Sequence, residues 1–335
     1  MLDFSKAFDR MRPDIAIQKL LQLNTHPSLI QVIKSFFSDR QQQVRFQTAL
    51  SQLKPSKIGV PQGTILGPLL WNIFVNDLSP ATSHIKYADD TTLYNAVQSS
   101  DVNITSSDAQ HATISFIDNP LQFAANFASN WCEENSMTLN TAKSMTISFS
   151  LKKTIYSEPI LIKDQSIEDK SAVKLLGVHF DTHLKFNTHV NEVLLKSKPA
   201  FHALIRLKRA GLDSDCLSSF YQARIVSIII YAAASWYPFI SKNDKTKLER
   251  YQSLCSRIIL PHIDSYEERL KQLQINELNT QLDICCLKYV NRVQNESHPL
   301  NSYIPVAPDH LHHKSRATKK RRTALLDKSL FFRYT

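Results

Sequence analysis

The sequence predicts an α+β domain that ends near residue 182, followed by an all-helical basic domain that ends near residue 305. Apolar residues in the first part occur at both helical and strand-like spacing, whereas from Asn187 to Pro305 the spacing is helical throughout. Residues 1–150 hold 11 Lys and Arg against 12 Asp and Glu, and residues 151–335 hold 29 against 18. The net charge of +10 therefore comes from the second part.

Spacing and punctuation residues predict the individual elements of the first domain. Helices are expected over residues 15–23 and 29–37, and over residues 64–78, which lie between two prolines. Alternation at Val44 and Phe46 predicts a half-buried strand. The other predicted elements are two short strands in residues 83–97, a helical stretch broken near Pro120 that ends around Trp131, and strands at 144–150, 158–163 and 173–180.

Composition excludes several classes of protein. Hydrophobic residues at 43% and charged residues at 21% are typical of a globular chain and exclude a fibrous or disordered one. Five irregularly spaced cysteines favour reduced thiols in an intracellular protein of the nucleus or cytoplasm over a disulfide framework or a zinc finger. Charges follow Met1 at once, so no signal peptide is expected. The most apolar stretch, residues 225–240, is too short for a membrane span and predicts a buried helix.

Two acidic segments are candidates for chemistry. Asp89 and Asp90 are adjacent in a predicted hairpin, and Asp3 follows an apolar residue at a predicted strand end. Carboxylates from separate strands that meet at one sheet edge form a hard oxygen site suited to Mg²⁺. Ordinary turn chemistry explains an isolated Asp-Asp pair better, so the surrounding sequence has to decide.

A glycine cluster lies between the two acidic segments. The chain has only five glycines, and Gly59, Gly63 and Gly67 are three of them. Such a cluster lets the backbone approach a flat partner closely just before the helix predicted over residues 64–78. The amino end of that helix would also favour nearby phosphates.

These segments, taken in order, resemble the reverse transcriptase of a non-LTR (LINE-type) retrotransposon, most closely jockey-like or CR1-like elements. Residues 2–9, 59–70 and 87–94 are similar to the family's motifs A, B and C, residues 131–143 to motif D and residues 175–181 to motif E. Each string alone is weakly specific, but five in the right order are highly specific.

The resemblance covers about residues 1–300 and implies a right-hand polymerase. Residues 1–182 would form the palm, an antiparallel sheet with helices packed on it, and residues 183–305 a helical, thumb-like region. In the implied reaction the 3′-hydroxyl of a DNA primer on an RNA template attacks the α-phosphate of a dNTP and pyrophosphate leaves, with two Mg²⁺ ions or with Mn²⁺. Asp3, Asp89 and Asp90 would be catalytic metal ligands, and the Phe4 carbonyl would add a further ligand.

The resemblance also implies residues that contact substrates. Phe8 would block a ribose 2′-hydroxyl, although core packing explains a phenylalanine there too. Gln62 and Gly63 would lie against the nascent base pair and the template, while Gln62 is equally explained as a polar turn residue. Lys143 would face the incoming triphosphate. The primer grip would consist of Leu176, Gly177 and Val178, whose apolar members strand packing explains equally well.

Basic residues of the helical region would contact phosphates of the template–primer duplex. The candidates are Lys196, Lys198, Arg206, Lys208, Arg209 and Arg224. The tail, residues 306–335, is expected to be flexible. Its basic segment, residues 314–322, is explained equally well as a nuclear address, as a nucleic-acid-binding arm and as a solvated tail.

Some features depart from the family's pattern. Met1 precedes Asp3 by two positions, so a fingers region is expected to be missing. An endonuclease ahead of the palm is likewise expected to be missing, and Arg12-Pro13 stand where the family often has a histidine. These departures are typical of an N-terminally truncated element, a partial gene model or a decaying copy. The alternative function is therefore an inactive retroelement remnant that only binds nucleic acid, which a primer-extension assay would distinguish.

Overall fold

The computed structural model describes residues 1–96, 102–104, 114–116, 119–150 and 159–303. The chain forms two compact units, Met1–Ser171 and Ala172–Thr335. The boundary between the units therefore falls after Ser171, ahead of the boundary near residue 182 that the sequence predicted. The reason is that the segment just before residue 182 packs within the second unit, where Val178 is part of the core and Phe180 contacts Phe186 at 5.4 Å.

The first unit combines helices with very short strands. Its helices are α1 (Ala7–Arg10), α2 (Pro13–Gln22), α3 (Pro27–Phe37), α4 (Leu66–Phe74) and α5 (Pro120–Glu134). Its strands are β1 (Gln41–Gln42), β2 (Arg45–Phe46), β3 (Ala49–Leu50), β4 (Lys54–Pro55), β5 (His84–Tyr87), β6 (Asp90–Leu93), β7 (Val102–Ile104), β8 (Ile114–Phe116), β9 (Met145–Thr146), β10 (Leu161–Ile162), β11 (Gln165–Ser166) and β12 (Glu168–Asp169).

Proline starts three of these helices. Pro13, Pro27 and Pro120 each occupy the first helical turn, where the missing N–H costs nothing because that turn has no intrahelical acceptor for it. The Asn119 side chain also caps α5 by accepting from the Gln122 N–H. The predicted helices at 15–23 and 29–37 are confirmed by α2 and α3. The helical stretch predicted to end around Trp131 is confirmed by α5, which begins at Pro120, and the part predicted ahead of this proline lies largely outside the described residues.

The strands of the first unit pair two at a time. Within the described residues no sheet has more than two strands, and all pairs are antiparallel except β9 with β12. The predicted antiparallel palm sheet is thus present only as separate ribbons, joined at two points by isolated bridges from Leu2 and Phe4. The strand predicted around residue 46 is present, but the prediction that it is half-buried is wrong: Val44 and Phe46 are 71% and 73% exposed. The reason is that β1 pairs only with β4, and β2 only with β3, so these strands join no larger sheet.

Aromatic side chains and one charged network form the centre of the first unit. Trp71 and Phe74 are fully buried and lie 6.0 Å apart. The buried Lys19 ammonium lies 4.7 Å from the ring centres of both Phe74 and Trp131. It donates to the Phe74 carbonyl at 2.7 Å and to Asp77 at 2.6 Å. Trp131 donates to the same carboxylate at 2.9 Å. Burial lowers the pKa of Lys19, and Asp77 opposes this shift by stabilising the charged form.

The second unit is a hairpin followed by helices. The hairpin strands are β13 (Ala172–Leu175) and β14 (Val178–Asp181). The helices are α6 (Asn187–Arg209), α7 (Ser214–Tyr221), α8 (Ser227–Ile229), α9 (Ala233–Trp236), α10 (Lys242–Ile259), α11 (Tyr266–Leu273) and α12 (Leu278–Val293), with a π-helix over Gln222–Val226 and 3₁₀ turns over Tyr237–Phe239 and Asn301–Tyr303. The helical prediction after Asn187 is confirmed up to Val293, where α12 ends, whereas the strand predicted at 173–180 is a hairpin. The predicted tail, residues 306–335, lies outside the described residues.

The apolar stretch 225–240 is buried but is not one helix. Ala232 has a left-handed φ of 50°, which ends one helical segment and begins the next. Ile225, Ile229 and Trp236 are each fully buried in the core of the second unit. In the described ranges, no single helix is long and apolar enough to cross a membrane. One bent pair, Ser214–Ile229 with Ala233–Phe239, passes that test by length and composition alone.

Side chains cap the helices of the second unit. Asp213, Ser241 and Ser265 each accept from backbone N–H groups in the first turn of the helix that follows. Glu249, on α10, caps a different helix: its carboxylate accepts from the N–H groups of Leu278 and Asn279 at the start of α12. Because the first N–H groups of a helix have no intrahelical acceptor, these contacts fix where the helices begin.

A histidine is buried in the same unit. The His189 side chain on α6 is 1% exposed, its Nδ1 accepts from the His179 N–H at 3.3 Å, and its ring lies 5.0 Å from that of Trp236. Its Nε2 has no hydrogen-bond partner. Burial, followed by the nearby His179, lowers the pKa of His189 from 6.5 to about 4.

We expect acid to destabilise the second unit through His189. The unfolded chain binds a proton near pH 6.5 and the folded chain only near pH 4, so stability falls as the pH drops through this window. At about 1.4 kcal/mol per pKa unit the loss is roughly 3 kcal/mol. Urea unfolding of the wild type and of His189→Asn, between pH 7 and pH 4, measures it. The difference in free energy of unfolding between the two proteins should change with pH. A difference that stays constant between pH 7 and pH 4 would contradict this prediction. His202→Asn, at an exposed position of α6, is the control.

Candidate active site

The segment that carries Asp3 is held on both sides. The Leu2 N–H donates to the Thr91 carbonyl at 2.8 Å, which pairs this segment with β6. On the other side the Asp3 carbonyl accepts from the Asn140 N–H at 2.8 Å, and the Asp3 N–H donates to the Ser144 hydroxyl at 3.2 Å. Asp3 is therefore carried by a short extended segment between the hairpin β5–β6 and residues 138–145.

The Asp89 turn is held by a buried tryptophan. β5 and β6 pair with Tyr87 opposite Asp90, so the predicted hairpin is confirmed, and Asp89 lies exposed in its turn. Ala88 in the same turn has a left-handed φ of 52°. The Trp71 indole N–H donates to the Ala88 carbonyl at 2.6 Å, which ties the turn to α4.

The structure brings the predicted acidic residues together. Pairing of Leu2 with Thr91 places their chain neighbours, Asp3 and Asp90, on adjoining segments. Burial, then Asp89, then Asp3 raise the pKa of Asp90. The two neighbouring carboxylates thus disfavour the ionised form of Asp90, which indicates a concentration of negative charge at this place.

The donors at this place fit a hard divalent cation. They are carboxylate oxygens, which Mg²⁺ and Mn²⁺ prefer, and a cation would relieve the repulsion on Asp90. Within the described residues, no group of three or more His, Cys, Asp or Glu is arranged to hold a metal ion unaided. Mg²⁺ sites in proteins commonly combine one or two carboxylates with waters and substrate phosphates. The Phe4 side chain is buried 6.0 Å from Trp71, so it anchors the segment that carries Asp3.

Phe8, on helix α1, lies at the edge of the core. Phe8 is half-buried, with its ring 5.2 Å from that of Trp71. Its carbonyl accepts from the Val60 N–H at 2.9 Å, which joins α1 to the glycine segment. This position is compatible with core packing and with a ring that lines a substrate pocket, so the two interpretations of Phe8 both remain.

The glycine segment is tied to the residues after Asp3. The Gly59 N–H donates to the Met11 carbonyl at 2.7 Å, and the Gln62 amide lies 3.5 Å from the Asp9 carboxylate. Gly63 has a φ of 78°, and nothing lies within 4 Å of the position that a Cβ would take there. Gln62 and Gly63 are thus positioned near the Asp3 segment, with Gly63 free to be approached closely by a partner.

Lys143 is exposed on the segment that flanks Asp3. Its N–H donates to the Asn140 carbonyl at 3.1 Å, within the turn that also presents Ser144 to Asp3. The side chain is therefore exposed on a turn that borders the segment carrying Asp3.

The predicted primer-grip residues form the turn of the second unit's hairpin. Leu176 and Gly177 are its two central residues, with φ of 46° and 88°, and Leu176 is 41% exposed. Val178 is only 3% exposed and packs in the core of the second unit. Two of the three residues are therefore available to a ligand, while the third supports the turn.

The predicted phosphate-binding residues do not share one surface. At about 100° per residue, Lys198, Arg206 and Arg209 project from α6 within about 80° of each other and are exposed. Lys208 projects from the side of α6 that carries the buried Val190 and Leu204, and it donates to the Ile259 carbonyl at 2.9 Å, so its ammonium is used within the unit. The remaining two, Lys196 beside this exposed face and Arg224 on the π-helix, are also exposed.

Two residues that support the site were missed by the sequence reasoning. The first is Trp71, which holds the Asp89 turn. The second is Lys86, whose ammonium donates to the carbonyls of Val75, Asn76 and Leu78 and fixes the hairpin β5–β6 beside the end of α4. A lysine between apolar residues in a predicted strand is the available signal, because such a lysine needs a partner if it is buried.

Comparison with known proteins defines the class. The family described as reverse transcriptase (RNA-dependent DNA polymerase) matches residues 1–180, more than half of the chain. The chain therefore belongs to the reverse transcriptase family.

The relatives place the chain among the LINE-type enzymes, which confirms the resemblance found in the sequence. It is 25% identical over 297 residues to the RNA-directed DNA polymerase from mobile element jockey of Drosophila melanogaster, covering 87% of this chain and 32% of the relative. It is 28% identical over 265 residues to the probable RNA-directed DNA polymerase from transposon X-element of the same organism, covering 77% and 28%. The chain thus spans about a third or less of these relatives.

Proposed function

We propose that this chain is a polymerase core that synthesises DNA on an RNA template. The observation that carries the proposal is the pairing of Leu2 with Thr91, which sets Asp3 beside Asp89 and Asp90 although the sequence separates them widely. In this proposal residues 1–182 correspond to the palm, and the helices that follow correspond to the thumb. Family membership and the names of the relatives support the same activity.

The chemistry follows from charge and position. Asp3, Asp89 and Asp90 would hold two divalent ions, which when bound would neutralise the phosphates and promote ionisation of the primer hydroxyl. Trp71 keeps the Asp89 turn in place through the Ala88 carbonyl. A rigidly positioned set of carboxylates requires little reorganisation during the reaction, which is the main source of catalysis in phosphoryl transfer.

The neighbouring residues would select and orient the substrates. Phe8, at the rim of the acidic site, would stand against the sugar of the incoming dNTP and disfavour a 2′-hydroxyl. Gly63 would allow the nascent base pair to approach the backbone, with Gln62 beside it. Lys143 would neutralise part of the triphosphate charge from the opposite flank.

Primer extension by the full chain tests the proposal. A DNA primer annealed to an RNA template, with four dNTPs and Mg²⁺, should be extended, and EDTA should stop the reaction. Asp39→Asn is a matched control, since it removes an exposed carboxylate outside the site at a left-handed position that asparagine tolerates. No extension, combined with salt-sensitive binding of the duplex, would refute the proposal and favour an inactive remnant that binds nucleic acid.

Binding of the template–primer duplex should depend on the exposed face of α6. Changing Lys198, Arg206 and Arg209 to Gln should weaken binding and reduce the slope of log K against log salt concentration by about 2 to 3, because each phosphate contact contributes about 0.9. Fluorescence anisotropy over a range of salt concentrations measures this slope.

The control for this prediction removes the same charge elsewhere in the second unit. Lys242, Arg257 and Lys271 are exposed on α10 and α11, and changing all three to Gln should leave the slope nearly unaltered. Equal effects of the two triple variants would show that net charge, and not the face of α6, governs binding.

A further inference from the structure

The hairpin turn in the second unit has an unusual residue at its first central position. Leu176 and Gly177 both have positive φ, of 46° and 88°, as a tight two-residue turn of the I′ type requires. Glycine adopts this conformation freely, but leucine does not, because its Cβ approaches the following carbonyl. The turn is therefore expected to need support from outside the hairpin.

Tyr231 supplies that support. It lies between α8 and α9, where the helix is interrupted just before Ala232. Its hydroxyl donates to the Leu176 carbonyl at 2.9 Å. Its ring also packs under the turn: a Cβ placed on Gly177 would lie 3.1 Å from the Tyr231 Cε1. The same side chain thus holds the carbonyl of the first turn residue and occupies the space that a larger second residue would need.

The backbone of Tyr231 is itself fixed by the core. The fully buried Trp236 donates its indole N–H to the Tyr231 carbonyl at 3.1 Å. The Trp236 ring packs on His189, which accepts from the His179 N–H in β14. The body of the hairpin and its turn are thus linked to one buried tryptophan by two separate routes.

We propose that Tyr231 is a positioning residue that fixes the Leu176–Gly177 turn and, through it, the end of the primer. This inference rests on the proposed polymerase function, in which the turn contacts the primer. Tyr231 would act through the turn and not on the reacting atoms. Loosening the turn would misplace the primer hydroxyl, so the rate of nucleotide addition would fall while duplex affinity would not.

The test compares Tyr231→Phe and Tyr231→Ala with the wild type. Loss of the hydroxyl alone should lower kcat for nucleotide addition about fivefold, and loss of the ring about a hundredfold. Duplex Kd, the KM for dNTP and the melting temperature of Tyr231→Phe should stay at wild-type values. Hydrogen exchange of the peptide covering residues 172–181 should be faster in both variants. Tyr289→Phe, at a tyrosine of α12 remote in sequence from the hairpin, is the matched control.

The two readouts separate this inference from the proposed function. Faster exchange together with a lower kcat at unchanged Kd supports the positioning role. Wild-type exchange in the turn of both variants overturns it, whether or not the chain extends primers. Faster exchange with unchanged kcat in an active chain also overturns it. A wild-type chain that does not extend primers overturns the proposed function, and with it the assignment of Tyr231 to the primer, while the exchange rates still decide whether Tyr231 holds the turn.

Discussion

Asp89→Asn is expected to abolish primer extension while leaving the fold intact. The side chain is exposed in the turn between β5 and β6, and the turn is held through the Ala88 carbonyl and not through the carboxylate. The substitution keeps the shape of the side chain and removes the charge that would bind a divalent ion. Loss of preorganised charge at a reacting centre costs about a thousandfold or more in rate. Single-nucleotide incorporation under single-turnover conditions measures this loss.

Stability distinguishes a chemical effect of Asp89→Asn from a structural one. The substitution removes one of the charges that raise the pKa of Asp90, so repulsion in the folded state decreases and the melting temperature should be unchanged or slightly higher. Asp39→Asn should retain wild-type rate and stability. A variant at position 89 that still incorporates nucleotides at more than about a tenth of the wild-type rate would refute the assignment of this carboxylate.

Local features of the sequence were sufficient to predict many elements of the fold. Pro13 and Pro27 precede amphipathic stretches and begin helices, and the adjacent aspartates do lie in a hairpin. These features depend on interactions within a few residues, which spacing and turn chemistry report directly. Association of Asp3 with the hairpin depends on a contact across most of the first unit. It was expected from the resemblance to a family and not from any local pattern.

Features that depend on what lies next to an element were predicted poorly. Alternation around Phe46 indicates a strand with one buried face, but the short strands there pair only among themselves and leave that ring exposed. Lys208 looks like any other basic residue of α6, yet it lies on the buried side and donates to a helix-terminal carbonyl. The charge of a residue is visible in the sequence, whereas the direction of its side chain depends on which face of the helix is buried.

Gly59→Ala is expected to destabilise the first unit strongly. Gly59 has a φ of 76°, and a Cβ at this position would lie 2.6 Å from the Asp9 carbonyl oxygen and 2.9 Å from the Asp9 Cα. The obstructing atoms belong to the backbone, so no side chain can rotate to relieve the contact. The Gly59 N–H also donates to the Met11 carbonyl, which means that the two segments cannot separate without loss of a hydrogen bond. Steric overlap and strain together should cost about 3 to 5 kcal/mol.

Gly63→Ala separates strain of the backbone from lack of space. Gly63 has nearly the same φ, 78°, but nothing lies within 4 Å of the position its Cβ would take. Alanine there bears only the conformational penalty of about 1 kcal/mol, so it should be much less destabilising than alanine at position 59. Urea unfolding of the two variants measures both costs on the same scale. Equal destabilisation would show that the segments carrying Asp9 and Gly59 are not in close contact. Because the same contact sets the glycine segment against the residues that follow Asp3, the proposed pocket for the nascent base pair would then lose its structural basis.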